Sequence, residues 1–210
     1  LHPENIGNNN EVCGMVFHCV FDHSCERIIK YDEKIAPLFI RDTLYSYIPA
    51  GTQHIIVAGI GSNIISGDSL GPFVGTLLFD NYEDHLMVIG TLENPLDAVN
   101  LPLKIAKIYI PDHSFIIAID SVLGSKEFNH TIVMKKEPLQ PGAGLGNQLP
   151  PIGDCSIMGV VHENAPESQG ELLYTNLHFI YAMASTIAKG ISLTIRQYFK
   201  YPADHPILTV

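Results

Sequence analysis

Apolar residues recur along this chain in two rhythms. Over residues 32–47, Ile35, Leu38, Phe39, Thr43, Leu44 and Tyr47 fall at three- and four-residue steps, the spacing of one helix face. Pro49, Ala50 and Gly51 then stop the helix. From residue 54 the apolar runs become short and continuous. They predict strands over 54–59, 86–90, 114–120 and 155–161, with helices over 69–81, 97–108 and 172–199. Asn94-Pro95 or Asp97 starts the second of these helices. A further strand at 131–134 is expected at a sheet edge, because Lys135 and Lys136 follow it. Residues 138–154 form a long Pro/Gly-rich loop. Strands that are apolar on both faces and alternate with helices predict an α/β fold, a mostly parallel sheet covered on both sides. Residues 1–11 read as a polar arm and 12–31 as a short strand or irregular extension. The expected division is therefore an arm over 1–31 and a single α/β domain over 32–210.

Composition supports a sizeable core. Of 210 residues, 46% are hydrophobic and 16% charged, which excludes disorder of the whole chain. The formal net charge is −10 and no basic stripe appears, so nucleic acid is not expected as a partner. A protein or peptide is compatible with that charge, and so is a homo-oligomer. Cys13, Cys19 and Cys25 lie at six-residue steps and Cys155 far away, without the C-x₂-C pairs of a zinc site. His23 between Cys19 and Cys25 is the metal alternative there. No run reaches the roughly 18 apolar residues of a membrane span. The first residues lack the pattern of a secretory signal. A cytoplasmic protein with no membrane partner is expected.

The candidate chemistry gathers where strands end. Asp68 falls between the first long strand and its helix. Asp120 ends the 114–120 run, and Glu93 and His162 close the 86–90 and 155–161 runs. In an open α/β sheet ligands bind outside the carboxyl ends of the strands. Four polar groups at one rim, with a long loop nearby, therefore point to a site. Each also has a purely structural reading. Asp68 and Asp120 are candidate caps, Glu93 a solvated loop acid, His162 a surface histidine. Two nearby carboxylates can share acid–base work on a water or hold a divalent metal, and the residues leave both open. Gly59-Ile60-Gly61 follows a strand, but Ile64 occupies the third glycine position of a dinucleotide loop and no Walker lysine follows. No G-x-S-x-G elbow is present either.

The runs Gly59-x-Gly61, Ser66-Gly67-Asp68-Ser69-Leu70-Gly71-Pro72, 90–101, 115–121 and Leu139-x-Pro141-Gly142-Ala143-Gly144 together resemble the YyaC-like sporulation proteins of spore-forming bacteria, over about residues 35–198. That family is similar to the germination protease, an atypical aspartic-type peptidase that cleaves small acid-soluble spore proteins. More distantly it is similar to hydrogenase maturation proteases. The resemblance implies a three-layer αβα fold of the phosphorylase/hydrolase type. It implies that Asp68 and Asp120 are the catalytic pair of an endopeptidase in the developing spore or mother cell. Glu93, Asn94, Gly142, Gly144, Asn147 and His162 would border the substrate. In the hydrogenase maturation enzymes the same two positions bind metal with a histidine third ligand. The corresponding region here, 142–147, contains no histidine, so no metal or other cofactor is expected. The alternative is a non-catalytic sporulation regulator or binding protein on the same fold.

Overall fold

The structure is a computed structural model that describes residues 27–141, 149–165, 168–205 and 208. Its centre is a six-stranded sheet in the order β1-β5-β6-β4-β2-β3. The strands are β1 (Arg27–Lys30), β2 (His54–Gly59), β3 (Leu86–Ile89), β4 (Ser114–Gly124), β5 (Thr131–Lys135) and β6 (Cys155–Glu163). The helices are α1 (Ala36–Tyr47), α2 (Leu70–Leu78), α3 (Leu101–Ile105), α4 (Ser168–Glu171) and α5 (Leu177–Tyr198). β2, β3, β4 and β6 run parallel, as the strand–helix alternation predicts. β1 and β5 are antiparallel to their neighbours.

Alternate residues of each strand feed two cores. Val57, Ile117, Ile119, Ile157 and Val161 face α1, α2 and α5. Ala58, Ala118, Met158 and Val160 face the other way, toward Leu96, Leu101 of α3, and Leu139 and Ile152. The fold is thus the expected three layers, but they are unequal: three helices cover one face, while one short helix and a folded loop cover the other. That loop is tied by an antiparallel bridge between Leu139 and Ile152.

Four expectations change. β5 is not an edge strand, because Ile28 and Ile29 of β1 pair with Val133 and Ile132 on its outer side. Residues 27–30, within the 12–31 segment read as a short strand or irregular extension, form that short strand and join the sheet. α3 is shorter than 97–108: Asp97 Oδ1 accepts the Val99 and Asn100 N–H groups at 2.9 Å each, making a turn first, and Pro102 sits in the first helical turn, where proline is tolerated. β4 does not stop at Asp120 but continues four residues further, alongside β6. α5 starts later than residue 172, at the Asn176 cap, whose Oδ1 accepts the N–H groups of His178 and Phe179.

Glycine sets how closely α2 lies on the sheet. A Cβ on Gly71 would fall 2.2 Å from the Ile60 carbonyl oxygen, and one on Gly75 2.1 Å from that of Gly90. Helix backbone touches strand backbone here, so the glycine-rich stretch serves close packing. The start of α2 is thereby held at the carboxyl rim of β2.

Candidate active site

The chain leaves β2 toward β3 on one side and leaves β4 toward β5 and β6 on the other. The rim between β2 and β4 is therefore the point where the winding reverses, which is where open α/β sheets bind ligands. β2 ends at Gly59, opposite Ile119. Asp120 is the next residue of β4, just past the place where β2 peels away.

Asp68 is brought to the same rim by the 60–68 loop. It closes a short 3₁₀ turn, Ser66–Asp68, immediately before α2. Its carbonyl accepts the Ser62 N–H at 2.8 Å. Gly61, at φ +135°, presses so closely on that carbonyl that a side chain there would meet it. From the other side, Ser66 Oγ donates to the Leu173 carbonyl at 3.2 Å, and Gly67 packs against Leu172 and Thr175. The turn is clamped between its own loop and the segment preceding α5.

Asp120 senses the charge of Asp68. Burial raises the Asp68 pKa to about 6, the Ser62 N–H opposes that rise, and the charge of Asp97 adds to it. Asp120 is raised well above the ordinary carboxylate range, by burial first and by Asp68 second, against the Ser121 N–H. That N–H donates to Asp120 Oδ1 at 2.7 Å. Both residues keep part of their surface in solvent, while burial disfavours the charged form of each carboxyl. Packed surroundings that disfavour charge, with one acid inside the field of the other, are what splits the proton affinities of a carboxylate pair.

Asp97 is the functional candidate that sequence reasoning missed. It reads as a cap, and it does cap. Its proximity to Asp68 comes from the Ile60–Leu96 bridge and the Gly61 N–H bond to the Leu96 carbonyl at 3.1 Å. Its place within the 90–101 run was the one signal in the sequence.

The other candidates are dispersed. His162 lies three β4 positions beyond Asp120, opposite Leu123 and past a bulge. Its Nε2 is 2.9 Å from Thr175 Oγ1 and its Nδ1 3.7 Å from Glu171 Oε2, so it fastens the segment before α5 to β6. Glu93 and Asn94 are exposed on the β3–α3 connection and line a separate cavity of about 740 Å³. Neither aspartate is among the residues lining it. Gly142, Gly144 and Asn147 lie outside the described residues, as do Cys13, Cys19, Cys25 and His23. Cys155 is buried in the larger core, and burial pushes its thiol pKa up, which leaves it unreactive.

Among the described residues no group of three or more His, Cys, Asp or Glu side chains is placed to hold a metal. No helix among the described residues is long and apolar enough to cross a membrane.

A family described as "Protein of unknown function (DUF1256)" matches residues 28–190. Over 159 residues the chain is 35% identical to a Bacillus subtilis (strain 168) protein named "Uncharacterized protein YyaC", covering 75% of this chain and 78% of that one. Among solved structures, the NiFe hydrogenase maturation protease HycI from Thermococcus kodakarensis KOD1 aligns with a TM-score of 0.48 and 16% identity, over 72% of this chain and 97% of its own.

Proposed function

This chain belongs to the DUF1256 family, and we propose that it is an endopeptidase of the germination-protease type, in which Asp68 and Asp120 divide general acid–base work on a water. The observation that carries the reading is the pair itself, two buried carboxyls with raised proton affinities, Asp120 within the field of Asp68, at the winding reversal of the sheet. Above about pH 6 Asp68 is ionised and takes a proton from a water as its oxygen bonds to the scissile carbonyl carbon. Asp120, whose proton affinity burial and the Asp68 charge raise, acts as the acid and gives its proton to the carbonyl oxygen. The tetrahedral adduct then returns a hydroxyl proton to Asp120, the C–N bond breaks, and Asp68 delivers its proton to the leaving amine. Both acids are back in their starting states. Burial first, and the Asp97 charge after it, keep Asp68 basic enough for the first step. Small acid-soluble spore proteins are the proposed substrates and a developing spore or mother cell the setting. Both rest on the sequence motifs that the chain shares with YyaC-like proteins. Gly142, Gly144 and Asn147 are proposed to border the scissile segment.

A single-turnover cleavage assay on purified small spore proteins tests this. Asp68→Asn and Asp120→Asn should each lower the rate by a factor of about 10²–10⁴. The parent should show a bell-shaped pH profile whose acid limb lies near 6. Cleavage that persists in both variants would remove the aspartates from the mechanism. No cleavage by a well-folded parent would turn the assignment to a non-catalytic spore regulator.

A further inference from the structure

The sheet has an open side at β3. β2 is the only strand that pairs with β3 among the described residues. The Ile55 N–H bonds the His85 carbonyl at 2.8 Å, so Met87 and Ile89 face β2 in this parallel ladder and Val88 turns its N–H and C=O outward. The 740 Å³ cavity lies along that side. It touches both Val88 and Ile89, and consecutive strand residues point to opposite faces. One cavity that reaches both must therefore wrap the free edge of the strand. Its walls agree: Thr76 and Phe79 come from the α2 layer, and Lys104, Lys107 and Ile108 from the α3 layer.

We propose that this edge docks an extended acidic peptide as a seventh strand, main chain against Val88 and alternate side chains toward α2 and α3. A peptide strand added to an open edge gains main-chain hydrogen bonds, and alternate pockets give it specificity. The charge of the site selects the occupant. In a chain with 22 acidic and 12 basic residues, two lysines three positions apart line this cavity with one acid, Glu93. Lys104 is hydrogen-bonded to neutral oxygens, Asn94 Oδ1 and the Pro95 carbonyl, and so keeps its charge for a carboxylate. The upper wall, from Gly90 to Leu96, leads directly into Asp97 and through it to Asp68. The choice of a peptide as occupant rests on the peptidase reading, so docking is measured without turnover.

The probes are fluorescein-labelled ten-residue peptides: alternating Val/Glu, alternating Val/Lys, and Val/Glu with two central prolines. Fluorescence anisotropy should show saturable binding of the Val/Glu peptide, at least about tenfold tighter than either of the others, in the parent and in Asp68→Asn alike. Lys107→Glu should weaken it about tenfold. Val88→Pro should abolish it, since proline removes the outward N–H and is tolerated on an edge strand. Should Val88→Pro lower the melting temperature, amide hydrogen exchange of the parent decides instead, with Val88 becoming protected when Val/Glu peptide is added. Equal binding of the three peptides, or an unprotected Val88, overturns the proposal. Binding without cleavage of any peptide leaves the docking edge standing and removes the peptidase. Cleavage with an unchanged kcat/KM in Val88→Pro does the reverse.

Discussion

Asp68 and Asp120 are held where burial disfavours their charge. Their carboxyls bind protons more tightly in the folded chain than at the ordinary value of 3.8. Between those limits the folded state holds protons that the unfolded state releases, so their contribution to stability is full at low pH and is lost as pH rises. For Asp68 the loss runs from about pH 4 through about 6, and Asp120 shifts in the same direction. Asparagine cannot ionise. Asp68→Asn should therefore be more stable than the parent at pH 8, by roughly 1–3 kcal/mol, and nearly equal to it at pH 4, and Asp120→Asn should change in the same direction. Thermal unfolding of parent and variants at the two pH values checks this. A difference independent of pH would mean that the carboxyls are not held in a charge-disfavouring site. The sequence showed both residues, because each follows an apolar strand run. It showed Asp97 only as a cap, because the field of one acid at another depends on distance in space.

At the scale of elements, the periods read from the chain locate the strands and the long helices, and local chemistry trims their ends. α5 follows its apolar stripe, Ile180, Met183, Ala184, Ile187, Ile191 and Ile195, yet begins only where Asn176 caps it. α3 is cut short by a turn that Asp97 makes with its own backbone. The lysines after β5 were misleading as an edge signal, because a strand from far upstream covers that edge. α2 depends on contacts that no propensity reports. Gly71→Ala should lower stability by at least about 1–3 kcal/mol, the range for forcing atoms into packed space, since the new methyl meets strand backbone and neither side is a flexible side chain. It should also disturb the proposed peptide cleavage, because α2 starts two residues after Asp68. Urea unfolding combined with the cleavage assay tests both consequences. Unchanged stability would mean that α2 can lift from the sheet.

At the scale of the whole molecule, β1 decides whether the sheet of the described residues has one open edge or two. It covers β5, buries Ile29 in the larger core, and precedes Tyr31, whose carbonyl accepts the Thr186 hydroxyl of α5 at 3.0 Å. A chain trimmed to start at residue 32 should lose at least about 2 kcal/mol relative to one starting at residue 27, from the burial of Ile29 alone. It should also self-associate through the newly bared edge of β5. Melting temperatures and sedimentation of the two chains give the comparison. Equal stability and equal size would show that β1 is dispensable to the sheet.

The sequence by itself determined the class of this protein: the α/β layering, the parallel direction of β2, β3, β4 and β6, and the aspartates that follow strand runs. These are legible because hydrophobic period and strand-end chemistry are local properties of the chain. Tertiary structure alone decided that β1 covers β5, that the two helical layers are unequal, and that α2 touches β2 and β3 through glycine. It also decided which polar rim residues share a space. Asp68, Asp97 and Asp120 converge at the winding reversal between β2 and β4, while Glu93 and Asn94 turn to the open edge of β3 and His162 fastens the segment before α5. Strand order and the approach of backbone to backbone are set by packing across the whole sheet, between residues far apart in the chain, where no local pattern records them.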